Sequence, residues 1–336
     1  MNVKEKILFF NIKHPLMLIL AFAAVLRILA VIFTDGSITS SREFNYYAIP
    51  ETWMVNPWVV YIARLVFGAF SLLIITLAYR ITKIIADKTT ALEIAVLCSS
   101  LWCMPYASVH PISAVVALPF LLYGTLLIVK QHNLLDNNEI EKFHRTTFII
   151  AGFVVGLGFA VCYQSFIYYI GIVLTLLILR NWKGALMTLI GYVVAVGVTQ
   201  TVVDLVIYHR PFVALTAFFN EPMFETIFPA WVIFFLLGVM VPPMSLLLIF
   251  GFFRVSRKYI LLVLPTLIII LCSLFTYDFE IQLMAIPTYV IAGYVGWKEF
   301  YKNSAFWTKN KWLVLTCYIL FALLNTVMII FSFAYL

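Results

Sequence analysis

Two arginines and one polar loop are where this 336-residue chain could do chemistry. Arg27 and Arg64 each interrupt a long apolar run. Between the runs lies "SITSSREFNYYAIPETW" (37 to 53), which sets Arg42, Glu43 and Glu51 among tyrosines and a tryptophan. A guanidinium inside an apolar run is costly unless paired or hydrated, so it faces a bundle interior or a watery cavity. Planar and permanently charged, it suits a phosphate group; it serves equally by snorkelling to an interface or by holding a carboxylate such as Asp35. An acid such as Glu43, within hydrogen-bond reach of an acceptor hydroxyl, could act as a general base. Tyr46, Tyr47, Trp53, Trp58 and Tyr61 around this loop fit an interfacial aromatic belt, and such rings also stack on sugar faces.

The elements that must hold these groups are set by composition. Hydrophobic residues make up 64% of the chain and charged residues 11%, with a mean hydropathy of +1.05. That leaves too little polar surface to coat a water-soluble globule, so the chain reads as an integral membrane protein. Apolar runs of ~20 residues, the length needed to cross ~30 Å of hydrocarbon, recur with short connections. Spanning structure is then helical, because a barrel would show ~10-residue alternating segments. The predicted fold is all-α, a polytopic bundle of about eleven spans: 15 to 34, 58 to 79, 91 to 109, 111 to 129, 147 to 162, 164 to 179, 184 to 207, 229 to 253, 259 to 276, 281 to 297 and 312 to 334. The first run follows Lys4, Lys6 and Lys13 as in a signal peptide. Its length and the lack of a small-residue cleavage site predict a retained helix.

Charge gives the orientation. With the N-terminus in the cytoplasm, eighteen of the 22 lysines and arginines fall on the inner side and only Arg42 and Arg210 outside, as the positive-inside rule requires. The net charge of +7 is therefore a topology signal, and no nucleic-acid partner is expected. Asp35, Glu43, Glu51, Asp204, Glu221, Glu225, Asp278 and Glu280 all fall at the outer ends of helices or in outer loops. Ionic chemistry is expected on that face, although solvated loop acids give the same pattern.

The organisation follows: an N-terminal helical part (1–129) with the first external loop (35–57), a mixed-charge cytoplasmic connector (130–146), and a C-terminal helical part (147–336) with an interfacial segment (208–228) able to lie along the membrane surface. Pro105, Pro111 and Pro119 predict a tight outer hairpin between the third and fourth spans, with His110 at its turn, where a lone histidine is more often interfacial than a ligand. The five cysteines (98, 103, 162, 272 and 317) lie in apolar runs and read as buried thiols. No ligand spacing for a structural metal is present. Walker loops, G-x-G-x-x-G after a strand, H-E-x-x-H and G-x-S-x-G are all missing.

The order of pieces does resemble a family. A first helix ending R-x-L-A, an external loop with an acid, then G-x-F-S-L-L and Y-x-I-T are followed by "LWCMPYASVHPISAVVALPFLLYGT", "GFAVCYQSFIYYIGIVLTLLI", "DLVIYHRPFVALTAFFN", "VPPMSLLLIFGFFR" and "CSLFTYDFEIQLMAIPTYVIAGYVGW". Together they are similar to polytopic glycosyltransferases of the GT-C fold, closest in look to bacterial relatives of the endoplasmic-reticulum and GPI-anchor mannosyltransferases. The resemblance implies transfer of a sugar such as mannose from a polyprenyl-phosphate carrier to a glycan, lipid or protein acceptor at the outer face of a bacterial cytoplasmic (inner) membrane, with or without a divalent metal. It implies Glu43 as the catalytic carboxylate of the first loop, serving as the base or orienting it, with Arg27, Arg64, Arg42, Gln164, Glu280 and His110 contacting substrate. Three departures stand out. The acidic pair of the family's first loop reads Arg42-Glu43 here; an Arg before the aromatic-Gln pair becomes Cys162 before Tyr163-Gln164; and a Gln-Glu-Arg stretch becomes Phe279-Glu280-Ile281. The alternative is a non-catalytic subunit that keeps the fold to bind a lipid or a membrane protein partner. A transporter is the weaker third option, as no inverted repeat is visible.

Overall fold

The computed structural model describes residues 14–34, 57–110, 112–136, 144–220, 241–255, 259–275 and 279–335. Arg42, Glu43, Glu51 and the interfacial residues 221–228 lie outside these, as does the side chain of Glu280. Within the described residues every regular element is helical: α1 (Pro15–Phe33), α2 (Pro57–Ile85), α3 (Lys88–Ser100), α4 (Cys103–Val109), α5 (Ser113–Asp136), α6 (Arg145–Val161), α7 (Phe166–Ile178), α8 (Trp182–Tyr208), α9 (Val213–Asn220), α10 (Met244–Arg254), α11 (Ile260–Cys272), α12 (Phe279–Asn303), α13 (Ala305–Lys309) and α14 (Lys311–Tyr335). Short 3-10 turns at Tyr163–Ser165 and Ser273–Phe275 join α6 to α7 and extend α11. α1 opens on Pro15, whose missing N–H is no loss in the first turn.

The all-α expectation holds. Five helices, α1, α2, α5, α8 and α14, are long and apolar enough to cross a membrane, or six if α3 and α4 form one bent span. The chain has the character of a helical membrane protein. The helices follow the order of the eleven apolar runs, but α6, α7, α10 and α11 hold only 17, 13, 11 and 13 residues. At 1.5 Å per residue the shorter three reach roughly 15–20 Å, less than the ~30 Å of a hydrocarbon core.

The core gathers around α12. Residues 281 to 297 are buried without a break, so this helix is enclosed on every side. α10 and α11 flank it, α5 and α3 lie behind, and α6 packs between α5 and α8. Close approach depends on small residues. A methyl group at Gly152 of α6 would run into the Thr188 carbonyl of α8, and one at Gly191 of α8 into the Ile149 carbonyl of α6. Lipid offers no hydrophobic drive for helix association, so backbone proximity of this kind holds such pairs. α8 and α14 turn most of their apolar surface outward, as helices facing lipid do.

The third span differs from its expected form. The chain breaks at Leu101–Trp102, and α4 leaves α3 at 62°. Pro105 then falls in the first turn of α4, where no helical donor is lost. Pro119 stays inside α5, and the turn between α4 and α5 is at residues 110–112, where the Ile112 N–H donates to the His110 carbonyl at 2.8 Å. The two polar groups freed by the break are taken by one side chain of α14: Asn325 donates to the Ser100 carbonyl at 2.7 Å and accepts from the Trp102 N–H at 3.0 Å.

Candidate functional site

Arg27 and Arg64 lie where α1, α2 and α4 meet, at the end of the bundle from which residues 35–56 leave α1 and return to α2. Both are almost fully buried, at 3% and 2% exposure. Short residues on the facing helix surround Arg27: Ser71 is one helical turn beyond Gly68, and the stem of Arg27 packs over Gly68. Arg27 Nε donates to Ser71 Oγ at 2.6 Å and Nη1 to the Ala23 carbonyl at 3.1 Å. Arg64 Nη1 donates to the Thr34 carbonyl at 3.2 Å, and Nη2 to the Ala30 carbonyl at 3.3 Å and to the Thr34 hydroxyl. Arg64 thereby takes up the Thr34 carbonyl beyond the end of α1 and shares the Ala30 carbonyl with the N–H and hydroxyl of Thr34.

Two guanidinium nitrogens remain over. Arg27 Nη2 and Arg64 Nε are buried without a hydrogen-bond partner, and no ion pair to either arginine is present among the described residues. A cavity of about 170 Å³ lies beside Arg27, walled by Ala24, Ile28, Val31, Leu65, Gly68 and Leu72. Dipoles of carbonyls and hydroxyls solvate these cations, but they do not cancel two positive charges in a low-dielectric setting.

His110 is the next expected residue at this end. It caps α4, its Nδ1 lies 2.9 Å from the Tyr106 carbonyl, and its ring lies 4.4 Å from that of Tyr106. Tyr106 and Tyr61 are both within electrostatic reach of Arg64. The structure thus brings Arg27, Arg64 and His110 to one helix junction.

Gln164 belongs to a second cluster, at the junction of α6, α7 and α8. The Cys162 thiol donates to Gln164 Oε1 at 3.2 Å, and the neighbouring Tyr163 hydroxyl donates to Gln200 Oε1 at 2.8 Å. One turn further along α8 is Asp204, with no exposed surface. Its Oδ2 accepts from the Ala214 N–H at 3.2 Å, capping α9, while Oδ1 has no partner. α9 closes over this cluster with Phe218, whose ring lies 5.0 Å from that of Tyr163. The sequence marked Asp204 only as one of eight outer acids. Its burial with one free oxygen sets it apart, and the one sequence signal was its place four residues after Gln200, which puts the two on one helix face.

Among the described residues no three His, Cys, Asp or Glu side chains gather as metal ligands would. All five cysteines are free thiols, three of them buried. No protein-family model matches the chain, and no curated protein matches it.

Proposed function

We propose that the chain is a bacterial inner-membrane glycosyltransferase that moves a sugar, such as mannose, from a polyprenyl-phosphate carrier to an acceptor at the outer face. In this reading the chain has a GT-C-like fold of eleven spans with its N-terminus in the cytoplasm. The observation that carries the proposal is the pair of buried guanidiniums at the base of the first loop, with unspent donors and no carboxylate partner among the described residues. A lipid phosphate would supply the missing negative charge at the depth where the membrane delivers it.

The chemistry then follows in one displacement. Glu43 takes the proton of the acceptor hydroxyl; the freed oxygen bonds to the anomeric carbon as the bond from that carbon to the phosphate oxygen breaks. Charge accumulates on the departing phosphate, and Arg27 and Arg64 stabilise it there. Arg42 and His110 act at the loop side of the same junction, and Gln164 and Glu280 orient the sugar. A divalent metal, if used, would supply charge stabilisation at the departing phosphate; no cluster of His, Cys, Asp or Glu that would hold it is present among the described residues.

A second reading draws on the same geometry. Most of the donors of Arg27 and Arg64 hold α1 to α2, a use that needs no reaction, and it fits a non-catalytic subunit that binds a lipid or a membrane partner.

Sugar transfer by the purified protein in nanodiscs, assayed with a panel of polyprenyl-phosphate sugars beside Glu43→Gln and Arg64→Gln, separates the two. Carrier-dependent transfer that both substitutions abolish supports the enzyme. Carrier binding without turnover across the panel, together with a co-purifying partner, supports the subunit. Full activity in Glu43→Gln removes that residue from its assigned role.

A further inference from the structure

An anion can pair with Arg27 and Arg64 only if part of their junction moves, because both are buried and the cavity beside Arg27 has apolar residues on its other sides. α4 is the element placed to move. Its seven residues form a rod about 10 Å long between two joints, the 62° break at Leu101–Trp102 and the turn at 110–112. The far end of the rod lies on the helices that carry the arginines. Val109 packs with Ala30 and Val31 of α1, and its Cγ1 stands 3.5 Å from where a methyl group on Gly68 of α2 would sit. The stem of Arg27 packs over the same glycine, and Tyr106 is within electrostatic reach of Arg64. Ser108, in the last turn, is buried with a hydroxyl that has no hydrogen-bond partner, so its side chain makes no polar bond that ties the rod down.

α14 holds this rod at both ends. Asn325 takes the two backbone groups freed at the first joint, and Phe333 packs against the cluster of Val109, Ala30 and Val31 at the other. Asn325 and Phe333 are eight residues apart, about 12 Å along a helix, which matches the length of α4. Yet α14 is the least buried of the five long helices, with 17% of its span buried. An element with so few buried contacts opens at a lower free energy than the core does. The two attachments also differ in kind. Asn325 sits at the joint, where a swing of the rod displaces atoms least; Phe333 sits at the end that travels furthest.

We propose that α4 is a lid over the arginine junction and α14 the latch that keeps it shut. When Phe333 leaves the Val109 cluster, α4 swings about its two joints while Asn325 keeps the broken backbone paired. The guanidiniums of Arg27 and Arg64 then become reachable from outside the bundle. The lid rests on packing alone; its purpose, to admit a lipid phosphate, rests on the function proposed above.

Thiol labelling of the full chain in nanodiscs tests the lid without sugar or carrier, so its failure and that of the transfer assay are separate results. Ser108→Cys puts a thiol of similar size on the lid and breaks no hydrogen bond. Native Cys98 of α3, equally buried, is the reference within the same molecule. N-ethylmaleimide, followed by peptide mass spectrometry, should modify the lid thiol about tenfold faster than Cys98, as expected where local opening precedes global unfolding. Adding Phe333→Ala should raise the lid rate by about another tenfold and leave Cys98 unchanged, and modification of Arg64 by phenylglyoxal should rise in step. Equal rates at the two thiols mean that only global unfolding exposes them, which overturns the lid. A lid rate unmoved by Phe333→Ala overturns the latch. A lid thiol that responds while Arg64 does not overturns the claim that the lid covers the arginines.

Discussion

At the residue scale, the described side chains divide into those that complete a helix and those left with something to offer. Ser71 is of the first kind. Its hydroxyl accepts from Arg27 and donates to the Gly68 carbonyl at 2.7 Å, so Ser71→Ala strands a buried guanidinium donor. A loss of about 1–3 kcal/mol is expected, read as a lower unfolding temperature in detergent with the helix content unchanged. Asp87 gives a pH signature. It lies between α2 and α3, and burial by itself would raise its pKa, but hydroxyls of Thr89 and Thr90 and then the ammonium groups of Lys302 and Lys298 outweigh burial, holding the carboxyl well below the ordinary carboxylate value. A depressed folded pKa contributes stability in full above the unfolded value, near 3.8, and the contribution fades as pH falls below that. The side chain is 44% exposed, so Asp87→Asn should cost no more than ~1 kcal/mol at pH 7. The gap between it and the unsubstituted chain should narrow below pH 4 in thermal melts; a gap that widens in acid contradicts the assigned sign.

At the scale of elements, apolar runs were readable in the sequence and their joins were not. The runs over α1, α2, α5, α8 and α14 are long, and hydropathy alone places them. The break at Leu101–Trp102 has no glycine or proline at the bend itself. It persists because Asn325, 223 residues away from Trp102, satisfies the backbone groups it frees, and no local pattern carries that information. Asn325→Leu keeps the branched shape and removes both hydrogen bonds, leaving a carbonyl and an N–H orphaned in an apolar setting. A destabilisation of roughly 2–4 kcal/mol is expected, with α14 loosened first, so protease cleavage near residue 310 should accelerate ahead of global unfolding. The α6–α8 contact is likewise written in small residues, Gly152 and Gly156 against Gly191 and Ala195, a spacing that becomes meaningful once the two helices are known to run side by side. Gly152→Leu cannot be absorbed by a rotamer change, because the obstacle is the Thr188 backbone. It should cost at least the ~1–3 kcal/mol of core overpacking and reduce the yield of monodisperse protein, while Gly197→Leu, at a glycine with open space around it, should be tolerated.

At the scale of the whole molecule, the sequence supplied a sidedness, and the short helices are where it meets its sharpest test. Eleven spans require α10 and α11 to belong to separate crossings; a re-entrant hairpin of the two would leave nine. The packing favours separate crossings. Arg254, at the end of α10, lies over the Phe300 ring at 5.3 Å, and the hydroxyl of Tyr259, at the start of α11, donates to Glu299 at 2.7 Å and lies 3.2 Å from the Ile85 carbonyl. The end of α10 and the start of α11 therefore lie beside Ile85 and Lys302. A cysteine placed at Arg257, between the two helices, decides the matter. In intact cells Arg210→Cys should react with a membrane-impermeant maleimide, whereas Arg257→Cys and Lys302→Cys should react only after permeabilisation, because the positive-inside bias and the packing assign them to the same inner side. Asp278→Cys, between α11 and α12, should behave like Arg210→Cys. Labelling of Arg257→Cys from outside would make α10 and α11 a re-entrant pair and reduce the span count. Labelling of Lys302→Cys from outside would invert the bundle and place the arginine junction at the inner face, where an outward-facing transferase could not use it.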